Sequence, residues 1–326
     1  MDNQNLKVSV VIPTYNREKL IISAINSLKN QTYKNIEIVV VDDCSTDNTH
    51  NVMKMQMEMD KRIIYVKQKE NKGAPSARNK GIEVATGELI AFLDSDDEWL
   101  PLKLEKQIEK FNEDDSIGVV YTGVKNVIGS NVRSEFIPQE AKADMLTELL
   151  KGNCVGTTST VVVKKNLLLQ VQGFDINLPS CQDWDLWVRL SMITNFGVIK
   201  EALVLFNEHE GERITTNVKS VVNGHQEFYN KYVHLIDKLS KSNYQLAYLN
   251  LGKIMIRTGL VDQNKLIINK GRTFLKLALN VRPSTFKVYI LYLGSFIDMK
   301  ILFKLYLFFK KKTSPYTFSK YVNEKK

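Results

Sequence analysis

Leu89-Ile90-Ala91-Phe92-Leu93-Asp94-Ser95-Asp96-Asp97 is an apolar run that ends in three carboxylates within four residues. The run reads as a buried strand of an α/β sheet, and ligands bind beyond the carboxyl ends of such strands. Acids packed this closely repel one another unless a cation or hydrogen-bond donors neutralise them. The ligands on offer are all oxygens, which suit Mg²⁺ or Mn²⁺ better than zinc or copper. A hard ion held by one or two carboxylates completes its shell with substrate phosphates. A solvated acidic loop is the competing reading of this stretch taken alone.

On its N-terminal side, strands alternate with helices. Val8 to Ile12 is β-branched and stops at Pro13, Ile36 to Val41 ends in Asp42-Asp43, and Ile63 to Val66 makes a third strand. Leu20, Ala24, Ile25 and Leu28 recur at helical spacing, Ala74 to Ala85 reads as a helix, and Pro101 suits the first turn of another through about Phe111. This alternation predicts an α/β fold with a parallel-type sheet and βαβ crossovers. From about residue 117 the pattern is mixed, with β-rich runs at 117–124, 158–163 and 202–206 around helices near 143–150 and 183–194. Beyond about 217 only helices are expected, at 244–257, 262–279 and 286–311, which places a boundary near 220 and divides the chain into 1–220 and 221–326.

The 326 residues are 44% hydrophobic, as in a globular protein. Cys44, Cys154 and Cys181 are odd in number and far apart, which suggests neither a disulfide framework nor a zinc site and fits a reducing cytosol. The opening residues lack a basic-then-apolar leader, in keeping with a cytoplasmic setting. Residues 265–326 hold 14 Lys or Arg against Asp298 and Glu324, a net of +12, so the rest of the chain totals −3 of the formal +9. This asymmetry points to an anionic partner for the tail. Lys300, Lys304 and Lys311 share one helical face, with Leu302, Phe303, Leu305, Phe308 and Phe309 available to the others. That is the pattern of an interfacial helix on anionic lipid, and the expected location is peripheral, on the inner face of the cell membrane. The longest apolar run there, Val288 to Ile297, is ten residues, too short for a span of about 20. A helical cap packed on the main domain is the alternative.

Five segments in order resemble the family 2 glycosyltransferases, nucleotide-sugar enzymes of GT-A type fold. They are Val8 to Arg17 (VSVVIPTYNR), Val39 to Asp47 (VVVDDCSTD), Asn71 to Asn79 (NKGAPSARN), Phe92 to Pro101 (FLDSDDEWLP) and Gln182 to Trp187 (QDWDLW), and together they span the first ~215 residues. The resemblance implies a mixed sheet flanked by helices and a nucleotide-sugar donor. It also implies a glycan or lipid-linked saccharide acceptor, Mn²⁺ or Mg²⁺, inversion at the anomeric carbon, and a place in surface polysaccharide synthesis. It puts Pro13, Thr14 and Tyr15 along the nucleotide, with Asp43 on the base and Arg78 at the base or diphosphate. Asp94 and Ser95 belong to the same donor site, Asp94 at the ribose or metal, and Asp96 holds the ion that bridges the diphosphate. Asp97 is expected to support Asp96 or exchange roles with it, and Trp99 either stacks on a sugar or belongs to the core.

Asp183 is the candidate general base for the acceptor hydroxyl, with Asp185 the weaker candidate. The family usually has Glu-Asp where this chain has Gln182-Asp183, so the base is retained and its neighbour is an amide. Residues 206–215 resemble the family's C-terminal active-site loop, which makes His209 a candidate metal ligand and Arg213 a candidate diphosphate contact.

Other classes fit less well. A haloacid-dehalogenase-like phosphotransferase needs a nucleophilic Asp followed by Gly-Thr or a similar turn, and a nucleotidyltransferase needs a Gly-rich loop after its first strand. Neither is present in Asp94 to Glu98 or in Pro13 to Arg17. The basic tail interleaves its charges with Leu, Phe, Ile and Tyr, unlike nucleic-acid-binding tails, so no nucleic-acid partner is expected.

Overall fold

The first apolar runs form strands β1 (Val8–Thr14) and β2 (Ile36–Asp42), separated by helix α1 (Ile21–Lys29). Every residue of both strands is buried, because helices cover both faces of a parallel sheet. The computed structural model describes residues 5–129, 131–140, 143–208, 217–282 and 286–297. After β2 come α2 (Thr49–Met59), β3 (Ile63–Lys67), α3 (Ala74–Val84), β4 (Leu89–Phe92), β5 (Asp97–Trp99), α4 (Lys103–Glu113), β6 (Ile117–Ile128) and β7 (Asn131–Phe136). These are followed by α5 (Met145–Lys151), a 3₁₀ turn (Thr158–Thr160), β8 (Val161–Lys164), α6 (Lys165–Gln170), α7 (Gln182–Ser191) and β9 (Asn195–Asn207). The helices α8 (Val218–Ile236), α9 (Lys241–Val261), α10 (Lys265–Val281) and α11 (Phe286–Gly294) complete the order.

The sheet runs β3-β2-β1-β4-β8-β6-β9-β5, with β7 paired to β6. The β3-β2-β1-β4 portion is parallel, whereas β8 is antiparallel to both β4 and β6. Register pairs Thr14 with Asp42 and Val11 with Phe92, so the carboxyl ends of β1, β2 and β4 lie side by side. Beyond Val11 only the β2 side of β1 is still paired, and there Pro13 costs the ladder nothing. The strand therefore continues through Pro13 to Thr14, and the turn expected at Pro13 starts at Tyr15.

The sequence reading names no element at α2, β7 or α6, and three further elements depart from it. Asp97-Glu98-Trp99 is a strand despite two acids, because it pairs antiparallel with Val204, Leu205 and Phe206 of β9; pairing overrides propensity here. The run at 158–163 starts as a 3₁₀ turn before it becomes β8. Helix α8 precedes the helices expected at 244–311: Gly224 interrupts its pattern, yet Val222, Phe228, Tyr232 and Ile236 are buried and the Asn217 side chain caps it by accepting the Ser220 N–H.

Two compact units emerge, one of Met1–Met145, Cys154–Ile176 and Gln182–Glu208, the other of Leu146–Asn153, Asn177–Cys181 and His209–Lys326. In the second, α9 and α10 form a close hairpin. A Cβ on Gly271 would lie 2.9 Å from the Gly252 carbonyl oxygen, and one on Gly252 would lie 2.7 Å from Leu275, so side chains at this crossing would push the helices apart.

Glu37 lies within the buried β2 of the first unit. It accepts hydrogen bonds from Ser9 Oγ (2.5 Å) and from the Thr86 amide and hydroxyl (2.6 Å each), and it pairs with Lys7 at 2.7 Å. Burial pushes this carboxyl up, but the bonds from Lys7, Ser9 and Thr86 together outweigh it and hold the pKa at about 2. A carboxylate depressed by folding stabilises above its unfolded pKa, and that stability is lost as pH falls through its folded one. Glu37→Gln should therefore lower the melting temperature at pH 7, and the gap from wild type should close between about pH 4.5 and 2. A gap independent of pH would show that the charge is not what matters.

Candidate active site

The loops after β1 and β2 are joined into one platform. Asn16 and Cys44 both adopt left-handed backbone, with φ of 52° and 69°. Asn16 Oδ1 accepts the Thr46 N–H at 2.8 Å, and the Asn16 N–H donates to Ser45 Oγ at 2.9 Å. Asp42 orients this platform from inside by accepting the Ser45 N–H (2.7 Å) and the Tyr65 hydroxyl (2.5 Å). Above it, Tyr15 is 43% exposed, its ring available to a flat ligand, while Thr14 is buried with no hydrogen-bond partner for its hydroxyl.

Asp43 is buried and fully engaged by the next loop. Its carboxylate accepts the amide N–H groups of Lys72 (2.8 Å) and Gly73 (2.6 Å) and the Gln68 side-chain amide (3.1 Å). These bonds fix the entry to α3, where Gly73 has a φ of 84° that other residues rarely adopt. Arg78 projects from α3, and its Nη2 donates to Asp94 Oδ1 at 2.6 Å. Its guanidinium carbon lies 5.4 Å from the centre of the Phe174 ring, and its buried Nε has no partner.

The carboxylates of the acidic cluster have different surroundings. Asp94, at the end of β4, also receives the Thr158 hydroxyl at 3.2 Å on each oxygen. Asp97 is fully buried, with Ser159 Oγ donating to it at 2.6 Å. Asp96 lies between them, partly exposed, and its backbone carbonyl accepts the Asn207 amide at 3.0 Å. Ser95 is buried. Trp99 belongs to the core, where its indole N–H donates to the Ser159 carbonyl at 2.8 Å and Lys103 Nζ lies 3.8 Å from its ring centre.

Asp183, in the first turn of α7, joins this group electrostatically. Burial raises its carboxyl above the ordinary value; the Asp94 charge adds to that, while the Trp184 N–H and the Arg78 charge oppose it. Asp185 is different, with its carboxylate buried and ion-paired to Arg189 at 2.8 Å. His209 and Arg213 lie outside the described residues.

Sequence reasoning missed the residues that support this site. Asn79 grips the Phe174 backbone at both ends, accepting its N–H at 2.7 Å and donating to its carbonyl at 2.8 Å, and so places the ring beneath Arg78. The hydroxyl run Thr157 to Thr160 is a visible signal, although its last three residues fall in the run at 158–163 that reads as strand.

Among the described residues no three His, Cys, Asp or Glu side chains gather as a metal site. The donors present, Asp96 beside Asp94, fit a hard divalent ion that takes one or two carboxylates and fills its shell with phosphate oxygens.

Residues 9–166 match the model of glycosyl transferase family 2. The chain is 35% identical over 193 residues to the Escherichia coli UDP-Glc:alpha-D-GlcNAc-diphosphoundecaprenol beta-1,3-glucosyltransferase WfgD, which covers 59% of this chain and 72% of that one. The chain belongs to glycosyl transferase family 2. The amylovoran biosynthesis glycosyltransferase AmsB of Erwinia amylovora is 30% identical to this family 2 enzyme over 229 residues, which is 65% of this chain and 75% of AmsB. Its fold is of GT-A type. S. aureus TarS 1–349, solved with UDP-GlcNAc, superposes with a TM-score of 0.60 at 20% identity over 92% of each chain. The mannosyltransferase PcManGT of Pyrobaculum calidifontis, solved with GDP-Man and Mn²⁺, gives 0.55 at 17% identity over 94% of this chain and 84% of that one.

Proposed function

We propose that this glycosyltransferase moves a sugar, with inversion, from a UDP-linked donor to a hydroxyl of a glycan or lipid-linked saccharide during surface polysaccharide synthesis. The observation that carries the reading is the grouping of Arg78, Asp94 and Asp183 where the parallel strands end. WfgD, named for a UDP-Glc donor and a lipid-linked acceptor, and AmsB, named for a polysaccharide, support the substrate classes. Residues 1–220 form the catalytic region in this reading, and 221–326 a basic helical region that meets the membrane.

Asp183 takes the proton of the acceptor hydroxyl. The oxygen then bonds to the anomeric carbon as the bond from that carbon to the donor phosphate breaks on the opposite face. Its raised pKa suits the task, since a base works best when its pKa approaches the working pH. Tyr15 and Asp43, with the loop that Asp43 holds, receive the base, and Pro13, Thr14 and Ser95 shape the pocket behind it. Arg78 is placed to exchange part of its bond to Asp94 for the diphosphate. Asp96, with Asp94, would hold Mn²⁺ or Mg²⁺, which would offset the charge of the departing diphosphate. A complex with Mn²⁺ among similar folds supports that ion. His209 and Arg213 keep their proposed roles at the ion and the diphosphate.

The test is a melting-temperature series with UDP, with and without Mn²⁺. UDP should stabilise the enzyme more when Mn²⁺ is present, and a ligand at 100 times its Kd adds about 2.7 kcal/mol. Asp96→Ala should abolish only the Mn²⁺-dependent part. If that part survives the substitution, Asp96 does not hold the ion.

A further inference from the structure

The turn at Thr158–Thr160 carries no residue of the proposed chemistry, yet it touches both acids that flank Asp96. Ser159 is fully buried, and its hydroxyl has one proton to give. It gives that proton to Asp97 Oδ2 at 2.6 Å and accepts the Asp94 backbone N–H at 3.1 Å. Thr158 adds its hydroxyl to both oxygens of the Asp94 carboxylate. Two adjacent hydroxyls thus bind the main chain and side chain of Asp94 and the side chain of Asp97.

The turn is in turn held from beneath. Trp99 Nε1 donates to the Ser159 carbonyl at 2.8 Å, and Gln107 Nε2 donates to the Thr160 carbonyl at 3.1 Å and the Val120 carbonyl at 2.7 Å. The Ser159 N–H is taken by Thr157 Oγ1 at 3.0 Å. With its carbonyl, amide and hydroxyl all committed, Ser159 has one orientation. A buried hydroxyl that satisfies a buried carboxylate is costly to lose, since the carboxylate is left without its donor.

We propose that Ser159, aided by Thr158, is a positioning residue of the acidic cluster. By fixing Asp94 and Asp97 it sets how Asp96 is presented to a nucleotide-bound divalent ion. This inference rests on the reading of Asp96 as the residue that holds the ion. Groups that orient metal ligands from behind typically change metal affinity or activity by 10- to 100-fold.

The experiment is a Mn²⁺ titration of the full chain in saturating UDP, read by melting temperature. Ser159→Ala should raise the half-saturating Mn²⁺ concentration roughly 10- to 100-fold, with the shift from UDP alone unchanged. Thr158→Val, of nearly the same shape and at a less buried position, should move it in the same direction, and it carries the test should Ser159→Ala not fold. Thr160→Val is the control for simple damage to the turn, because its hydroxyl bonds the Thr157 and Val155 carbonyls and touches no acid. It should lower the melting temperature and leave the Mn²⁺ midpoint in place. Equal midpoint shifts for Ser159→Ala and Thr160→Val, or none for Ser159→Ala and Thr158→Val, would overturn the proposal. A wild-type protein with no Mn²⁺-dependent shift would instead overturn the reading of Asp96, and this inference with it.

Discussion

Asp183→Asn is expected to cut turnover by about 10²- to 10⁴-fold, the usual contribution of a positioned general base, while donor binding stays intact. The substitution should not cost stability. Folding raises the Asp183 pKa, chiefly through burial, so the ionised form is penalised in the folded state at neutral pH, and a neutral amide escapes that penalty. Asp185→Asn should behave in the opposite way. It removes the buried partner of Arg189, and breaking such a pair costs about 3–5 kcal/mol, so the melting temperature falls even where turnover per folded molecule survives. The pH profile adds a second signature. Turnover needs Asp183 ionised, so it should fall on the acid side around a pKa above the ordinary Asp value of 3.8. The Arg78 charge opposes that rise, so Arg78→Met should move the acid limb to higher pH as well as weaken donor binding. Near-normal turnover by Asp183→Asn, or an acid limb that does not respond to Arg78, would return the base to an unassigned group.

The parts of this enzyme that were legible in the sequence are those where local pattern and tertiary role agree. Buried parallel strands need apolar runs on both faces, and β1, β2 and β4 announce themselves that way. The acids at their ends stand out because nothing in such a run calls for them. Roles within the cluster were less accessible, because they depend on partners distant in the chain. Thr158 and Ser159 separate Asp94 from Asp97 in function, yet lie 64 and 62 residues from the acids whose carboxylates they bond. Trp99 likewise had a sugar-facing and a core-facing reading, and only its bond to Ser159 and the Lys103 amine over its ring place it in the core. Asp43 shows the same limit: a carboxylate at a strand end was evident, but its bonds to the Lys72 and Gly73 amides require the fold.

The full-length enzyme is expected to sediment with vesicles rich in anionic lipid at low salt and to be released as salt rises. No helix among the described residues is long and apolar enough to cross a membrane. Helix α11 carries apolar side chains at exposed positions. Val288 is buried, while Phe286 (77% exposed), Ile290 and Leu293 recur at four and seven residues along one exposed side. Arg272 secures the end of this segment by donating to Ser295 and lying 4.0 Å from the centre of the Phe296 ring. The sequence from 265 onward carries a net charge of +12, so a second copy of the same face would meet like charge, whereas anionic headgroups complement it. Lys300, Lys304 and Lys311 extend the basic sequence beyond the described residues. Each basic residue near such a surface contributes about 1 kcal/mol, and at about 1 M salt, where the screening length is ~3 Å, most of that is lost. Ile290→Glu with Leu293→Glu adds two charges to the apolar side at exposed positions, so the fold and UDP-dependent melting should persist while vesicle binding falls sharply. A wild-type protein that ignores anionic vesicles at low salt, or a double variant that binds them as well as wild type, would show that this face meets something other than lipid.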